Sequence, residues 1–504
     1  MIAVFGGPLS RVERAALAIG LVLSAVLMWP MRDGVPDGAY VWLHIARHLA
    51  NGAGLVFNPG ERNYVTTNPL WVTLLADGMS LRLDGLTVAR ALGALATLLT
   101  VPLFLQLLRR TVRTPALRAL GTLAWASQPW MARVALNGLE TPLAVALVLG
   151  GFVALTEGAD WGERPVRTGA LWGLAALTRP GAVLLLVLWG TALLIDAKSR
   201  PGLRRLVFGL LPPLLINGAW LMFARLYFGT FWPAVLASAP RVNLTLAAWW
   251  SRLSVDFGKI ASTEGAIVAA GLLAIALGRM PARRRDRPAL RLLPVAFVVL
   301  LPALFAARGL AVAARQLLLV IPIVHWIMWW AVDRSWSGER NESHAWVRAT
   351  IIGAVLAAVV MSMNLAAYRH ELASPAFRRE RASNRTLIRW GVWLGANARG
   401  SLVATETPGA VAYFGQVRIL DLGGLFTPSL EPLRRTLPGH ELVERLAFEP
   451  AGRADFLIDS GMPSQALLAI SPRREAFELI DERDGFAFYR LHWDAGGRDT
   501  TATP

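Results

Sequence analysis

A single carboxylate, that of Asp37, stands just beyond the first apolar segment of the chain. A carboxylate at a membrane surface can accept a proton from an acceptor hydroxyl, and partial desolvation there raises its pKa toward a value useful for a base. Asp37 would equally serve as the N-cap of the helix that the pattern predicts from Ala39 onward. The residue types leave both roles open. Asp33 is a weaker candidate for the same chemistry, since it lies closer to the apolar segment.

Two further charged residues lie in apolar surroundings. Glu140 begins a predicted membrane span, where it either stabilises the helix dipole or faces the same external cavity as Asp37. Arg179 lies in Thr178-Arg179-Pro180, and an ionisable residue at membrane depth is costly and therefore a functional candidate. A guanidinium fits a phosphate through paired hydrogen bonds. The alternative is that Arg179 extends to the outer membrane surface.

Further candidates are Arg308 and Arg315, which bracket a predicted outer loop and would hold an anionic headgroup. His44 and His48 are four residues apart on a predicted helix, a spacing that permits joint metal binding. No third ligand follows nearby, so an exposed helix face is the preferred interpretation and no metal site is predicted. The sequence has no phosphate-binding glycine loop and no nucleophile elbow, and nothing in it supports nucleotide use.

Composition assigns these residues to a membrane protein. Of 504 residues, 55% are hydrophobic and 17% are charged, and the mean hydropathy is +0.45, whereas a soluble protein carries about 25% charged residues. The net charge of +17 comes with arginines clustered between apolar runs, as orientation determinants are. We therefore predict a bilayer environment and no nucleic-acid partner. The chain has no cysteine, which excludes disulfides and cysteine metal sites.

Apolar runs of about 20 residues, long enough to cross a hydrocarbon core of about 30 Å, recur along the chain. We predict about eleven transmembrane helices, near residues 15–31, 86–108, 117–133, 141–156, 168–178, 181–196, 205–224, 264–278, 291–307, 315–332 and 348–368. The positive-inside rule places the basic loops and the N-terminus in the cytoplasm and the C-terminus outside. The break at Arg179-Pro180-Gly181 leaves open that the two short runs around it form one hairpin within the membrane.

The predicted spans divide the chain into two parts. Residues 1–368 form a transmembrane module whose first outer loop covers residues 32–85, with a membrane-surface helix at 68–83. Residues 369–504 have a different character, because a charged helical stretch precedes short strand patterns near 401–404, 417–420, 456–458 and 486–491. We expect this part to form an extracytoplasmic α/β domain. No internal repeat is evident, so an inverted-repeat transporter is not supported.

Five segments, in this order, resemble the GT-C glycosyltransferases, and most of all the mycobacterial arabinofuranosyltransferases that add terminal β-1,2-linked residues. The first is the outer-loop stretch from Asp37-Gly38-Ala39-Tyr40 to Thr67-Asn68-Pro69-Leu70-Trp71. The others are Asn137-Gly138-Leu139-Glu140-Thr141, Ala176-Leu177-Thr178-Arg179-Pro180, Tyr227-Phe228-Gly229-Thr230-Phe231-Trp232-Pro233, and Val403 to Phe414 followed by Asp421-Leu422-Gly423-Gly424-Leu425.

This resemblance implies a multi-pass protein of the inner membrane that transfers a sugar from a polyprenyl-phosphate donor, with inversion, at the extracytoplasmic face. The resemblance favours arabinofuranose as the transferred sugar. The acceptor would be a glycan, glycolipid or protein. Asp37 would be the general base, and the donor phosphate would be held electrostatically. Arg179, Arg315 and Arg308 would bind that phosphate. The substrate cavity would include Tyr40, His44, Trp71, Glu140, Tyr227 and Trp232.

The chain departs from the family pattern at three positions. The family shows two adjacent acids in the first outer loop, but here Gly38 follows Asp37. His44 stands where an arginine is common, and Gly181 replaces an acid after the Thr-Arg-Pro segment. Some relatives use a divalent metal with paired acids; the single Asp37 does not support one here, although Glu140 would be a partner. No cofactor is indicated with certainty, and a divalent metal stays open although the sequence does not support one.

Two other functions remain open from the sequence. A transporter or flippase for a lipid-linked glycan would explain Arg179 and the many spans, but it predicts charged residues on both sides of the bundle, and the cytoplasmic half shows few. A non-catalytic scaffold for envelope assembly would be consistent with the missing second acid.

Overall fold

The computed structural model describes residues 7–158, 161–196, 200–234, 245–276, 288–307, 314–336, 345–427, 430, 453–459 and 476–492. The helices are α1 Arg11–Met28, α2 Asp37–Ala50, α3 Pro69–Ser80, α4 Gly85–Thr111, α5 Pro115–Ala126, α6 Pro129–Ala135, α7 Thr141–Leu155, α8 Pro165–Thr178, α9 Val183–Asp196, α10 Arg200–Phe228, α11 Leu246–Ala276, α12 Pro288–Ala307, α13 Ala314–Leu317, α14 Ile321–Trp336, α15 Ala345–Ala373, α16 Pro375–Asn397 and α17 Pro408–Gly415. The strands are β1 Leu402–Thr405, β2 Arg418–Asp421, β3 Phe456–Asp459, β4 Phe477–Arg483 and β5 Phe486–Leu491.

The first four-fifths of the described chain is a helical bundle. Five of its segments are long and apolar enough to cross a membrane: Arg11–Met31, Gly85–Thr111, Gly202–Phe228, Ala289–Ala307 and Trp346–Ala373. Thr141–Leu155 and Pro180–Ile195 are shorter apolar helical segments. The protein is therefore a multi-pass membrane protein. The predicted number of about eleven spans stays a prediction.

Two breaks in the bundle lie at prolines. The predicted span at 117–133 is divided into α5 and α6, because Pro129 lacks an amide hydrogen and favours a helix start. The Gln128 side chain accepts a hydrogen bond from the backbone N–H of Trp130 at 2.9 Å and caps the new helix. The second break follows α8, where Arg179 has an extended backbone and a single 3-10 turn, Pro180–Ala182, leads into α9.

Aromatic side chains fill the centre of the bundle. Trp172 meets Phe152 and Trp189 edge-on, with ring centroids 5.1 and 5.5 Å apart, and its indole N–H donates to the carbonyl of Val148 at 3.2 Å. Gly151 allows this contact, because a Cβ at that position would lie 2.1 Å from the Trp172 ring nitrogen. Satisfying the indole N–H inside an apolar core avoids the cost of burying an unpaired donor.

Beside the helical bundle, α2 and α3 combine with α16, α17 and a sheet. The strand order is β2-β1-β3-β5-β4, with β1 parallel to β2 and β3, and β5 antiparallel to β3 and β4. Four strands lie at or within one residue of their predicted positions. The strand β4 was not predicted. Its side chains are largely exposed, and its sequence mixes charged residues with apolar ones, so it has no apolar strand pattern.

One hydrophobic core joins the first outer loop to the C-terminal segment. Side chains of α2 and α3 pack in a common cluster with residues of α16, α17 and the sheet, including Trp71, Trp390 and Phe488. The division at residue 369 stays a prediction. What the structure shows is that the two sequence regions share a single buried interior.

Candidate active site

Asp37 is the first residue of α2, and its carboxylate reaches the N-terminus of α17. Its two oxygens accept hydrogen bonds from the backbone N–H groups of Gly409 and Ala410, each at 2.8 Å. Burial raises the pKa of Asp37 above its ordinary value; the two amide hydrogen bonds oppose the rise and the charge of Asp421 adds to it. Asp37 thus caps a helix, but the expectation that it caps α2 is wrong, since the N-cap of α2 is Pro36.

Arg47, in the last turn of α2, contacts the opposite end of α17. Its guanidinium donates a hydrogen bond to the carbonyl oxygen of Tyr413 and lies over the Tyr413 ring, 3.8 Å from the centroid. An acid at a helix N-terminus and a base at its C-terminus both complement the helix dipole. α2 therefore holds α17 at both ends.

Glu140 and Arg179 form an ion pair, with Oε1 and Nη1 3.3 Å apart. The second carboxylate oxygen of Glu140 accepts a hydrogen bond from Asn68 at 3.1 Å, and Arg179 also donates to the Thr141 hydroxyl. The charged side chains are only 12% and 11% exposed, respectively. Arg179 is thus paired within the protein, and it also interacts electrostatically with Arg315.

A cavity of about 280 Å³ opens where the bundle meets the chain entering α2. Its lining comes from α6, α13, the ends of α15 and α16, and the segments before α2 and α7: Pro36, Trp130, Arg133, Val134, Asn137, Arg315, Glu371 and Glu380. Arg315 is exposed and has no carboxylate partner in the part of the chain that the structure describes. It is the cation of this cavity best able to hold an external anion.

Arg133 organises the wall of the cavity. It pairs with Glu371 at 3.1 Å and Glu380 at 2.7 Å, and it donates to the carbonyl of Gly34 at 2.8 Å. Its guanidinium also lies 4.7 Å from the centre of the Phe377 ring. One side chain of the bundle thus ties together the α15–α16 junction and the segment that leads to Asp37.

This architecture is found in solved membrane glycosyltransferases. ArnT from Cupriavidus metallidurans in the apo state superposes with a TM-score of 0.62 over 95% of this chain and 98% of that chain, at 14% identity. The Archaeoglobus fulgidus oligosaccharyltransferase tethered with an acceptor peptide gives 0.58 over 96% and 74%, at 13% identity. Arabinofuranosyltransferase AftD from Mycobacteria gives 0.52 over 96% and 42%, at 14% identity. The chain has the GT-C fold.

The other comparisons add little to the GT-C fold. A family profile described as "Domain of unknown function (DUF8728)" matches residues 373–498, about a quarter of the chain. No curated protein matches the sequence. At the identities found for the solved structures, the likeness concerns the fold, while function has to be argued from the site.

Within this GT-C fold, three predicted cavity residues lie in the core of the outer loop. Trp71 is fully buried, and its indole N–H donates to the carbonyl of Gly138 at 3.2 Å. Tyr40 packs against Phe414 of α17 at 5.6 Å, and burial raises its pKa to about 12. His44 is buried against Phe57 at 5.0 Å. None of the three lines the cavity at Arg315, so their substrate contacts stay a prediction.

His44 is held in its neutral form. Burial, with the neighbouring charges of His48 and Arg47, lowers its pKa to about 3, although a hydrogen bond to the backbone of Phe57 opposes the shift. The Nδ1 atom of His44 is buried and has no hydrogen-bond partner among the residues that the structure describes. Its ring lies edge-on to that of His48, 4.3 Å away. A position predicted on an exposed helix face is therefore inside the core.

The last turn of α10 also contacts the first outer loop. The Tyr227 hydroxyl accepts a hydrogen bond from the backbone N–H of Leu55 at 3.2 Å. Gly54 makes room for this hydroxyl, because a Cβ at that position would lie 2.2 Å from its oxygen. Trp232 is 68% exposed. Arg308 lies outside the described residues. The roles predicted for these three residues in substrate binding stay predictions.

Sequence reasoning missed Arg133, Glu371 and Glu380. Arg133 and Glu371 lie at or near the outer ends of predicted spans, where a charged residue normally needs no partner. Glu380 lies in the charged helical stretch predicted after the last span, so position alone gave no signal. A count of acids against bases near residues 369–385 would have shown the two glutamates in a largely basic stretch. In the described ranges, no group of three or more His, Cys, Asp or Glu residues could hold a metal ion.

Proposed function

We propose that this protein is an inverting glycosyltransferase that moves a sugar from a polyprenyl-phosphate donor to a glycan, glycolipid or protein acceptor on the extracytoplasmic side of the inner membrane. The sugar that the family resemblance favours is arabinofuranose. The GT-C fold supports the reaction class, and one structure of ArnT is described as bound to undecaprenyl phosphate, which supports a polyprenyl-phosphate donor here.

The observation that carries the proposal is the arrangement around the cavity. Pro36, the residue before Asp37, lines the same space as the exposed Arg315. A donor phosphate bound at Arg315 would place its sugar toward the start of α2. Arg179 interacts electrostatically with Arg315 but is already paired with Glu140. Arg315 is therefore assigned the contact with the phosphate, and Arg179 a supporting role.

In the proposed step, the acceptor hydroxyl oxygen attacks the anomeric carbon. The bond between that carbon and the phosphate oxygen breaks, and the polyprenyl phosphate leaves with the electron pair as a stable anion. The hydroxyl proton passes to Asp37. A carboxylate has about four lone-pair sites, and the two amide hydrogen bonds from α17 occupy two of them, so the carboxylate retains acceptor capacity.

The decisive experiment measures transfer from radiolabelled decaprenyl-phosphate arabinofuranose by purified protein, comparing wild type with Asp37→Asn. We expect transfer or slow donor hydrolysis by wild type and a loss of at least about 100-fold in the variant, in the range typical of a missing general base. Asp33→Asn is the matched control, because Asp33 is an outer-loop acid in an exposed pair with Arg381 at 2.9 Å.

Equal turnover by Asp37→Asn and wild type would exclude the base role. Tight donor binding without turnover would point to another sugar or to movement of the lipid carrier, and a panel of polyprenyl-phosphate hexoses would then separate the two. Monodispersity and unfolding temperature in detergent are needed for each variant, since Asp37→Asn also removes one acceptor for α17.

One observation favours a different function. The Asp37 carboxylate makes structural contacts with α17, as a non-catalytic scaffold for envelope assembly would require. Such a scaffold predicts that Asp37→Asn weakens the docking of α17 and that no donor is turned over by wild type. The same protein samples therefore distinguish the two functions.

A further inference from the structure

The contact between Asp37 and α17 joins residues 372 positions apart in the chain. Both carboxylate oxygens are engaged, at 2.8 Å each, which fixes the plane of the carboxylate as well as its position. A carboxylate held by two directed donors has little rotational freedom. The orientation of Asp37 is therefore set by the C-terminal segment of the protein.

The start of α17 is shaped for this contact. A Cβ added at Gly409 would lie 2.1 Å from the backbone oxygen of Asp37 and 2.9 Å from each of its carboxylate oxygens. Only glycine allows the two backbones to approach so closely. By contrast, a Cβ at Gly38, the next residue in α2, would have no atom of the described part of the chain within 4 Å.

Arg47 holds the other end of the same helix. It donates to the Tyr413 carbonyl and covers the Tyr413 ring. Between the two ends, Tyr40 of α2 packs against Tyr413 and Phe414. Because α2 and α17 meet at both ends and in the middle, α17 cannot shift along α2 without breaking a charged contact.

We infer that α17, locked by Arg47, is a positioning element for the Asp37 carboxylate, so that the acid has its working orientation only while the C-terminal segment is docked. Arg47 is a positioning residue, because it acts on Asp37 through α17 and lies at the far end of α2. This inference rests on the proposed function, in which Asp37 is the base.

Docking also sets the protonation of Asp37. The charged and titratable groups that face Asp37 are Asp421 at the end of β2, whose charge raises the pKa of Asp37, and Tyr40 on α2, which interacts with it electrostatically. Burial is the largest cause of the raised pKa, and α17 covers the carboxylate. If α17 undocks, water reaches Asp37 and its pKa falls toward the ordinary value.

The test uses full-length protein in detergent and two ways of loosening α17. Arg47→Met removes the charged contact but keeps an apolar side chain, and Gly409→Ala displaces the helix without changing any charge. Arg47→Lys is the conservative variant that keeps one donor. The controls are Gly38→Ala, which adds a methyl group in open space, and Arg381→Met, which breaks an exposed pair in the same region.

The first measurement is hydrogen exchange of the backbone amides at residues 405–415, which needs no donor or acceptor. We expect exchange to accelerate about tenfold or more in Arg47→Met and Gly409→Ala, as for the loss of a hydrogen bond to a charged group. Arg47→Lys should fall between these and wild type, and the controls should match wild type. Unchanged exchange in both loosened variants would overturn the inference, whatever the activity.

The second measurement is the pH profile of kcat/KM for sugar transfer. In the two loosened variants we expect a lower maximum of kcat/KM. We also expect the acidic limb of the profile to move to lower pH, because the pKa of Asp37 falls when α17 no longer covers it. A purely structural role for α17 predicts a lower maximum with the limb in place, and that result would overturn the inference. If wild type turns over no donor but hydrogen exchange still responds to Arg47→Met, the proposed function fails. Only the structural part of the inference, that Arg47 holds α17 in place, would then be supported.

Discussion

Glu140 pairs with Arg179 through Oε1 and Nη1 at 3.3 Å, in a region where both side chains are almost fully covered. Asn68 completes the hydrogen bonding of the acid. Removing one member of such a pair leaves an uncompensated charge, which costs about 3–5 kcal/mol. The pair therefore compensates the charge of Arg179 within the protein's own structure, without a bound phosphate.

We predict that Glu140→Gln and Arg179→Met each lower stability by about 3 kcal/mol and that the double variant loses less than the sum. Unfolding in detergent measures this, with Arg167→Met as the control. Arg167 forms an ion pair with Glu157 at 2.8 Å but is 65% exposed, and exposed pairs contribute about 0–1 kcal/mol. Additive losses in the double variant would show that the two residues do not stabilise each other.

Arg315→Ala should weaken donor binding without affecting the fold. The residue is exposed, and exposed substitutions usually change stability by about 0.5 kcal/mol or less. Loss of a charge-assisted contact to phosphate should raise the Kd for undecaprenyl phosphate, the phosphate-bearing part of such a donor, by about tenfold. Equilibrium binding of undecaprenyl phosphate would measure it. Unchanged binding would show that a residue other than Arg315 contacts the phosphate.

Gly38→Asp would create the pair of adjacent acids that belongs to the family pattern this chain resembles. The added side chain has room, since a Cβ at Gly38 meets nothing within 4 Å. We expect the variant to fold normally and to make transfer responsive to added Mn²⁺ or Mg²⁺, because oxygen ligands bind these ions. Gly38→Asn, which has the same size but no charge, is the control. A response in wild type as strong as in Gly38→Asp would mean that the second acid is unnecessary.

His44 should make the outer loop labile in acid. Its pKa in the folded protein is about 3, below the unperturbed 6.5, so the unfolded chain binds a proton that the folded chain does not. The stability that it contributes is complete above pH 6.5 and is lost as the pH falls toward 3, by up to about 1.4 kcal/mol per pH unit. His44→Phe should flatten the dependence of unfolding temperature on pH in this range, whereas an unchanged slope would assign the acid lability to other groups.

Much of the architecture was predictable from local pattern. Membrane helices have long apolar runs, prolines marked several helix starts, and β1, β2, β3 and β5 follow apolar strand patterns between charged segments. The strand β4 was hidden because residues such as Glu478 and Asp481 interrupt its pattern. The division of one predicted span at Pro129 was missed because the apolar run continues through it.

The arrangement of the site was much less predictable. Asp37, Glu140 and Arg179 were found as single residues because charge in apolar surroundings is unusual. Their contact partners were not predicted, because the contacts join residues far apart in the sequence. Asp37 and Gly409 of α17 are 372 positions apart, and Arg133 and Glu380 are 247 positions apart. Such contacts depend on how the helices pack, and no periodicity within one segment encodes them.

The shared interior of the outer loop and the C-terminal segment has a consequence for synthesis. Residues 37–71 emerge early, yet the groups that cover them, from residue 387 onward, are made more than 300 positions later. At about 5–20 residues per second, the loop waits tens of seconds for its cover while membrane insertion proceeds. During that interval its apolar side chains face water or the membrane surface, and a shortened chain ending before α16 would expose them permanently to proteolysis.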